Sequence, residues 1–553
     1  MKDSDSNPSK QAKELDAANM DDSKEVIMKP KFRESDAGDG TTREDQILTG
    51  TRFYLCAASL LLCLFLVALD QMITAAILTT IANDFKAFNK LTWITASFMM
   101  PLGCCAQVWG RLSISFGRRW TMVTGIVLFE IGSLVAALSN SMDMFIGGRS
   151  IQGVGGSCIQ TIVMVIAAEI TTIDKKPLLF ASLSIMFVVA SVIGPLVGGS
   201  LGAYTTWRWC FWINICCAGL IFPFFLYSYR PKPPVSSFKE KLKTVDLLDN
   251  FLMIASCVLV LLAISFGTTE TTWRSASVIC CFIIGGLLMA TFCLYNFKYS
   301  KFPAIPRNIV SVPTIMAAFG SYTFNYSTVM VFAQFLSIYV QNVLHHNAFH
   351  TGLFIIPCAI ASSISAICNG IIIRQTSQIK IFSVLANVLL PISTGLMILL
   401  DTKENLGYII GFEILLGVAS GLNFQGPMMS SMIKAPKTPS STILTAAFLN
   451  FGRSTGTALF SEIGGAIYME SLKSGMRKIA PDIEETQYPL ETILYQTTLL
   501  EKLSVHDENL ILGQIMKSVR NVFWMGLAMS FMALICSIFM SNAKLPKSED
   551  VEA

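Results

Sequence analysis

The chain is built from stretches of about twenty residues with almost no charge, and that pattern leaves few folds open. A run of that length, wound at 1.5 Å per residue, crosses the ~30 Å hydrocarbon layer of a bilayer. Candidate spans fall at 53–76, 91–111, 120–139, 143–167, 178–201, 209–228, 247–267, 276–297, 313–341, 351–373, 380–400, 405–430, 441–467 and 521–541, fourteen in all. Inside lipid each segment must pair its own backbone N–H and C=O groups, so the runs are expected as helices. Only 14% of the 553 residues are charged and 53% are hydrophobic, against roughly 25% charged in soluble domains. The expected class is an all-α polytopic membrane protein whose surroundings are a lipid bilayer. The net charge of +4 comes with no basic stripe, so no nucleic-acid partner is expected.

Loop charge sets the expected orientation. One set of loops carries Arg111, Arg118, Arg119, Lys175, Lys176, Arg230, Lys232, Lys298, Lys301, Arg374, Lys380, Lys434 and Lys437, among others; the opposite short loops hold only Lys86, Lys90, Arg208, Arg274 and Lys403. The richer side is cytoplasmic, which puts both termini there and requires an even number of spans. Residues 1–50 are rich in Asp, Lys, Ser and Glu, lack a signal-peptide core, and are read as a disordered cytoplasmic tail. The expected organisation is a six-helix bundle at 51–229, a cytoplasmic linker at 230–246, two additional helices at 247–297, and a second six-helix bundle at 298–541. A long non-cytoplasmic loop is placed near 468–520 and a short tail at 542–553. The loop from Gly110 to Arg119 and the loop from Gly370 to Lys380 follow corresponding spans of the two bundles, a faint internal repeat.

Most of the fifteen cysteines lie in apolar runs and no CxxC occurs, so small buried thiols are expected, without a disulfide framework, metal site or cofactor. The histidines His345, His346 and His350 read as a solvated loop. No phosphate-binding Gly-Lys-Ser/Thr loop is present, so neither ATP coupling nor enzymatic chemistry is expected.

The informative residues are the charges inside the runs. A carboxylate or guanidinium deep in a membrane helix costs about 2.5–3.5 kcal/mol on insertion scales, so it needs a charged partner or a wet cavity. Asp70 stands deep in the first run, Glu130 near the middle of the third, Glu413 in the twelfth and Arg453 near the middle of the thirteenth. Asp70, Glu130 and Arg149 are the candidates for proton coupling. Gln152, Arg453, Glu413, Tyr322 and Tyr326 are candidates for a substrate cavity, the tyrosines because aromatic faces attract organic cations. Asp70 and Arg149 are expected at similar height, although depth alone does not make them neighbours. Asn325-Tyr-Ser327 matches a glycosylation sequon inside a predicted helix, where it is expected to stay unmodified.

Four motifs then carry a resemblance. Leu69-Asp70-Gln71-Met72-Ile73 is the first. The second is Gly110-Arg111 through Gly117-Arg118-Arg119, with Ile114 where an acidic residue is common. The third is Arg149-Ser-Ile-Gln152-Gly153. The fourth is Gly194-Pro195-Leu-Val-Gly198-Gly199, followed by Trp207-Arg208-Trp209 and Asn214. In order and spacing they resemble the major facilitator superfamily, in its fourteen-span drug:proton antiporter branch. The chain is similar to yeast azole and crystal violet resistance transporters and vacuolar basic amino acid transporters. The resemblance implies two six-helix bundles with two extra central helices. It implies a proton-coupled antiporter that exports toxic amphipathic or cationic small molecules by alternating access. The alternatives are a vacuolar basic amino acid/proton antiporter or a transporter-like nutrient sensor. It implies gating by Gly110, Arg111, Gly117, Arg118, Arg119, Gly194, Pro195, Gly198 and Gly199, with proton handling around Arg149. Small-molecule substrate and protons are the expected partners, the chain is expected as a monomer, and its place is the plasma or vacuolar membrane.

Overall fold

The computed structural model describes residues 47–87, 90–171, 176–231, 246–269, 272–346, 348–403, 405–438, 441–479 and 504–542. The N-terminal tail before residue 47, most of the linker and the tail after 542 lie outside the described residues. The helices in chain order are α1 Gly50–Ala76, α2 Leu78–Asp84, α3 Leu91–Cys104, α4 Ala106–Phe116, α5 Arg118–Ala137, α6 Met142–Glu169, α7 Lys176–Tyr204, α8 Trp209–Ser228, α9 Leu247–Thr269 and α10 Ala276–Leu294. There follow α11 Arg307–Val310, α12 Pro313–Asn342, α13 Ala348–Thr376, α14 Lys380–Met397, α15 Leu406–Asn423, α16 Gly426–Ile433, α17 Ser441–Ile479 and α18 Val505–Ile538.

Local chemistry sets several of the boundaries. Ser141 caps α6 by accepting from the Met144 amide, and Ser504 caps α18 by accepting from the Asp507 amide, each at 3.2 Å. Pro313 opens α12 at the position where a missing N–H costs nothing. Between α4 and α5 the chain reverses at Gly117, whose φ of +86° falls where a side chain would be strained.

Eleven described segments are long and apolar enough to cross a membrane. The other three expected spans fail for visible reasons. The second is broken at Cys105 into α3 and α4. Helices α12 and α17 have ample length, 30 and 39 residues, but are too polar, with Ser321, Asn325 and Ser327 on one and Asn450 and Arg453 on the other. Of these three, the α17 span packs against both of the others.

In the first bundle α1 packs on α7 and α8, α5 on α6, and α3 on α6. In the second, α12 packs on α17 and α18, α13 on α15, and α14 on α15 and α18. The bundles join twice, through α7 against α13 and through α17 against α3 and α4. Each time the fifth long helix of one bundle meets the second of the other, as two parallel repeats require. Helices α9 and α10 pair with each other, and α9 leans on α17 and α3. Two glycines show the repeat at the level of single residues. A Cβ on Gly153 of α6 would strike the carbonyl of Phe98 on α3, and one on Gly417 of α15 would strike the carbonyl of Cys358 on α13. Small residues let backbones approach where lipid supplies no hydrophobic drive for helix association. Apolar cores fill the interiors, with Leu64, Val67, Phe98, Phe129 and Ile162 in the first bundle and Phe332, Leu336, Leu390, Leu416 and Phe523 in the second.

The loop expected at 468–520 is shorter than its charges suggested. Helix α17 continues to Ile479 and α18 begins at Val505. Tyr468, Leu472 and Met476 recur every fourth residue and are buried with Ile511, Ile515 and Val519 of α18. The apolar stripe of an amphipathic hairpin therefore overrides the polar composition of the segment.

Candidate proton and substrate site

Asp70, on the sixth turn of α1, is 1% exposed. Its Oδ2 accepts from Arg149 Nη1 of α6 at 2.5 Å, and its Oδ1 accepts from Gln152 Nε2 at 2.8 Å and from Asn214 Nδ2 of α8 at 2.9 Å. Arg149 Nη1 also reaches Gln152 Oε1 at 2.6 Å. Ser133 Oγ of α5 accepts from Gln152 at 2.8 Å and from Asn214 at 3.3 Å. Phe98 of α3 lies 4.3 Å below the guanidinium carbon of Arg149, and Phe211 of α8 lies 5.7 Å from it. Five helices thus converge on one carboxylate, and both of its oxygens are engaged. The equal height anticipated for Asp70 and Arg149 becomes a direct ion pair. Ser133 and Asn214 were not singled out as site residues from the sequence. The available signal was a lone amide in the strongly apolar helix α8.

Glu130 stands one turn from Ser133 on α5 and does not join this network. It lines a small cavity with Cys63, Leu66, Phe129, Ile159, Ala218 and Phe222, and its Oε2 has no hydrogen-bond partner. Glu413 lies inside the second bundle, where it meets the Cys358 thiol of α13 while Oε1 stays unpartnered. The glycine repeat makes Glu413 the counterpart of Arg149, since each precedes its contact glycine by four residues. The position that holds a paired cation in one bundle therefore holds a lone carboxyl group in the other.

Arg453 of α17 sits between the bundles and is 1% exposed. Its Nη2 donates to Gln160 Oε1 of α6 at 3.1 Å and to Asn450 Oδ1 at 2.9 Å. Asn450 Nδ2 in turn reaches Thr161 Oγ1 of α6 at 2.9 Å. The guanidinium carbon lies 4.7 Å from the ring centre of Tyr326, 5.9 Å from that of Tyr322 and 5.7 Å from that of Phe187 on α7. The tyrosine faces that the sequence offers to an organic cation are already taken by the chain's own guanidinium. Gln160, Asn450 and Phe187 carried no sequence signal, because their role comes from the meeting of two bundles.

The second bundle has its own polar centre. Asn387 of α14 donates to Ser321 Oγ of α12 at 3.1 Å and to Asn423 Oδ1 of α15 at 3.2 Å, and it accepts from Asn325 at 2.9 Å. The sequon asparagine is therefore buried in this cluster.

The glycine and basic motif between the second and third spans forms a set of clasps. Arg118 makes a forked pair with Glu169 at the end of α6, 2.9 Å at its shortest. Arg119 donates to the Leu226 carbonyl at 3.0 Å. Arg111 donates to the Pro303 carbonyl, and Asp249 of α9 accepts from the adjoining Ala304 amide at 2.7 Å. With Ile114 in the usual acidic position, the carboxyl group that bears on Arg111 is Asp249 of the added helix α9. A Cβ on Gly110 would strike Ala447 of α17. In the fourth motif, Gly194 faces Met72 of α1 and Gly202 faces Ile77 just after it, whereas Gly199 faces open space. Gly198 is buried, and the Pro195 side chain lies outside the described ones. The glycine stripe therefore packs on α1 beside the Asp70 turn, inside the first bundle. Trp207 and Arg208, just beyond α7, both reach Asp84, at 2.9 and 3.3 Å.

A helical membrane protein of two interlocked bundles, with buried charges where they meet, has the architecture of a secondary transporter. The profile of the Major Facilitator Superfamily matches residues 60–461, and the chain belongs to that family. It is 30% identical to Azole resistance protein 1 of Saccharomyces cerevisiae, over 92% of this chain and 91% of that one. It is equally 30% identical to Vacuolar basic amino acid transporter 5 of the same yeast, over 91% and 93%. The efflux pump dotC of Dothistroma septosporum is 26% identical over 90% and 85%. Among solved structures, the human organic anion transporter MFSD10 superposes with a TM-score of 0.55 at 12% identity, covering 88% of this chain and all of that one.

Proposed function

We propose that the chain is a proton-coupled antiporter that exports amphipathic small molecules by alternating access. The observation that supports this most is the buried Asp70, with a guanidinium on one oxygen and two amides on the other. In the proposed cycle Asp70 exchanges its guanidinium partner for a proton when α1 and α6 move apart. Glu130, one turn from Ser133 on α5 and in a cavity with an unpartnered oxygen, offers the adjoining proton site.

Helix α7 provides the mechanical link. Its glycine face rests on α1 beside Asp70, and the same helix forms half of the junction through α13. Rocking of the bundles at the α7–α13 and α17–α3 contacts therefore bears on the helix that carries the carboxylate. The Arg111 contact with the Pro303 carbonyl links the first bundle to the chain entering the second and would hold one face closed in one of the two states. Arg118 and Arg119 tie helices together within the first bundle. The orientation that fits the loop charges places both termini in the cytoplasm, in a plasma or vacuolar membrane, with the protein acting as a monomer. A second reading, proton-driven loading of basic amino acids into a vacuole, draws on the equal similarity to the vacuolar relative.

The test is Asp70→Asn in sealed vesicles given an imposed pH gradient. Transport driven by that gradient should be abolished at equal membrane abundance. A rate close to that of the parent, or transport that survives a protonophore but requires ATP, refutes the coupling.

A further inference from the structure

We propose that Arg453 is the anchor for a carboxylate on the transported molecule, so that the protein's substrates are amphipathic organic acids or zwitterions rather than simple cations. The proposal rests on the transport reading and adds the chemical class of its substrate. It starts from an imbalance of charge. Arg149 and Asp70 neutralise one another inside the first bundle. Among the described residues no carboxylate comes within salt-bridge distance of Arg453, although that side chain is as deeply buried. A lone buried cation is costly, and intramembrane arginines pair with acids, carbonyls or a ligand.

Geometry says which part of the group is free. Nη2 uses its two protons on the neutral oxygens of Gln160 and Asn450. Nε and Nη1 are both buried and have no partner. The aromatic rings of Tyr326, Tyr322 and Phe187 lie 4.7–5.9 Å from the guanidinium carbon and hold the group by cation–π attraction. A planar guanidinium held in this way and left with open N–H bonds matches a carboxylate. The same three rings form an apolar wall for the rest of an amphipathic acid. The position suits a carrier, because Arg453 on α17 touches α6 and α7 of one bundle and α12 of the other. A ligand bound there contacts both moving bodies. An organic cation would instead meet an uncompensated positive charge and aromatic faces already taken.

The experiment uses purified full-length protein in detergent, without a pH gradient, and three probes of one shape: 3-phenylpropionate, 3-phenylpropanamide and 3-phenylpropylamine. Thermal stabilisation is read against probe concentration. The parent should be stabilised by the acid at concentrations at least about tenfold below those needed for the amide or the amine. Arg453→Gln should weaken the acid by about tenfold or more and leave the amide unchanged. Arg453→Lys should keep the order of preference with weaker binding. Arg453→Gln should also melt no lower than the parent, since it removes an unpaired buried charge. If Arg453→Gln fails to fold, the ranking in the parent and in Arg453→Lys decides. The proposal is overturned by an amine that binds as well as the acid, by an acid that gives no stabilisation, or by Arg453→Gln with undiminished affinity for the acid. A failure of proton coupling in Asp70→Asn vesicles leaves these binding results untouched, so the two readings fail separately.

Discussion

Two buried arginines divide the molecule into a region that satisfies its own charge and a region that does not. Arg149 lies within the first bundle, faces Asp70 at 2.5 Å and leaves only its Nε without a partner among its buried nitrogens. Arg453 lies between the bundles, bonds only neutral oxygens through Nη2 and leaves Nε and Nη1 bare. Burial is the same, so exposure does not separate them; the available counter-charge does. The difference teaches how a carrier can divide its work. A self-neutralised pair needs no outside charge until the helices that carry it separate, whereas a bare charge at the junction is completed by something from outside. The second bundle extends the contrast, because its polar centre of Asn325, Asn387, Asn423 and Ser321 carries no charge at all.

The largest effect expected on this contrast comes from Arg149→Ala. It strands a buried carboxylate and should cost about 3–5 kcal/mol, seen as a large loss of folded protein in the membrane. If Arg149→Ala is as stable as Arg453→Gln, the two arginines are not different in kind. The double variant Asp70→Asn/Arg149→Met sharpens the point. Removing both charges should recover most of that stability while transport remains absent, and a double variant as unstable as Arg149→Ala would show that the pair is not the reason for the loss.

Next in size is Gly194→Leu, which drives a side chain into Met72 and separates α7 from the Asp70 turn. Overpacking of this kind costs about 1–3 kcal/mol. Transport should fall at least as steeply as stability if α7 links junction to carboxylate. Parental transport rates in that variant would remove the link.

In the neutral cluster, Asn387→Ala should cost about 1–3 kcal/mol, the penalty for leaving buried amides without partners. The pH dependence of transport should not change, because no titrating group is involved. A shifted pH profile would mean that the second bundle also takes part in proton handling. The smallest effect belongs to the pair Lys90–Asp143, with Asp143 76% exposed. Asp143→Asn should alter stability by no more than about 0–1 kcal/mol in a thermal melt.

Hydropathy along the chain exposed most of the fold, because a membrane helix must announce its length in consecutive apolar residues. It reached α12 and α17 too, although both are more polar than the rest, because neighbours shield them and they tolerate Asn325, Asn450 and Arg453. The hairpin at the α17–α18 end was concealed by its polar composition. Glu470, Arg477 and Lys478 are exposed, while Tyr468, Leu472 and Met476 keep a helical stripe within.

The sequence by itself determined the class of fold, the helical spans, the asymmetry of loop charge and the expense of Asp70, Arg149 and Arg453. Each of these depends on composition within a local window of chain. Tertiary structure alone decided which charges meet. It brought Asp70, Ser133, Arg149, Gln152 and Asn214 together from four helices, turned the glycine stripe towards α1, and set Arg453 among aromatic rings with no acid beside it. Depth along a helix follows from counting residues at 1.5 Å each, but the direction in which a side chain points depends on how helices distant in sequence pack. That packing is a property of the whole assembly, and it separates the paired arginine from the bare one.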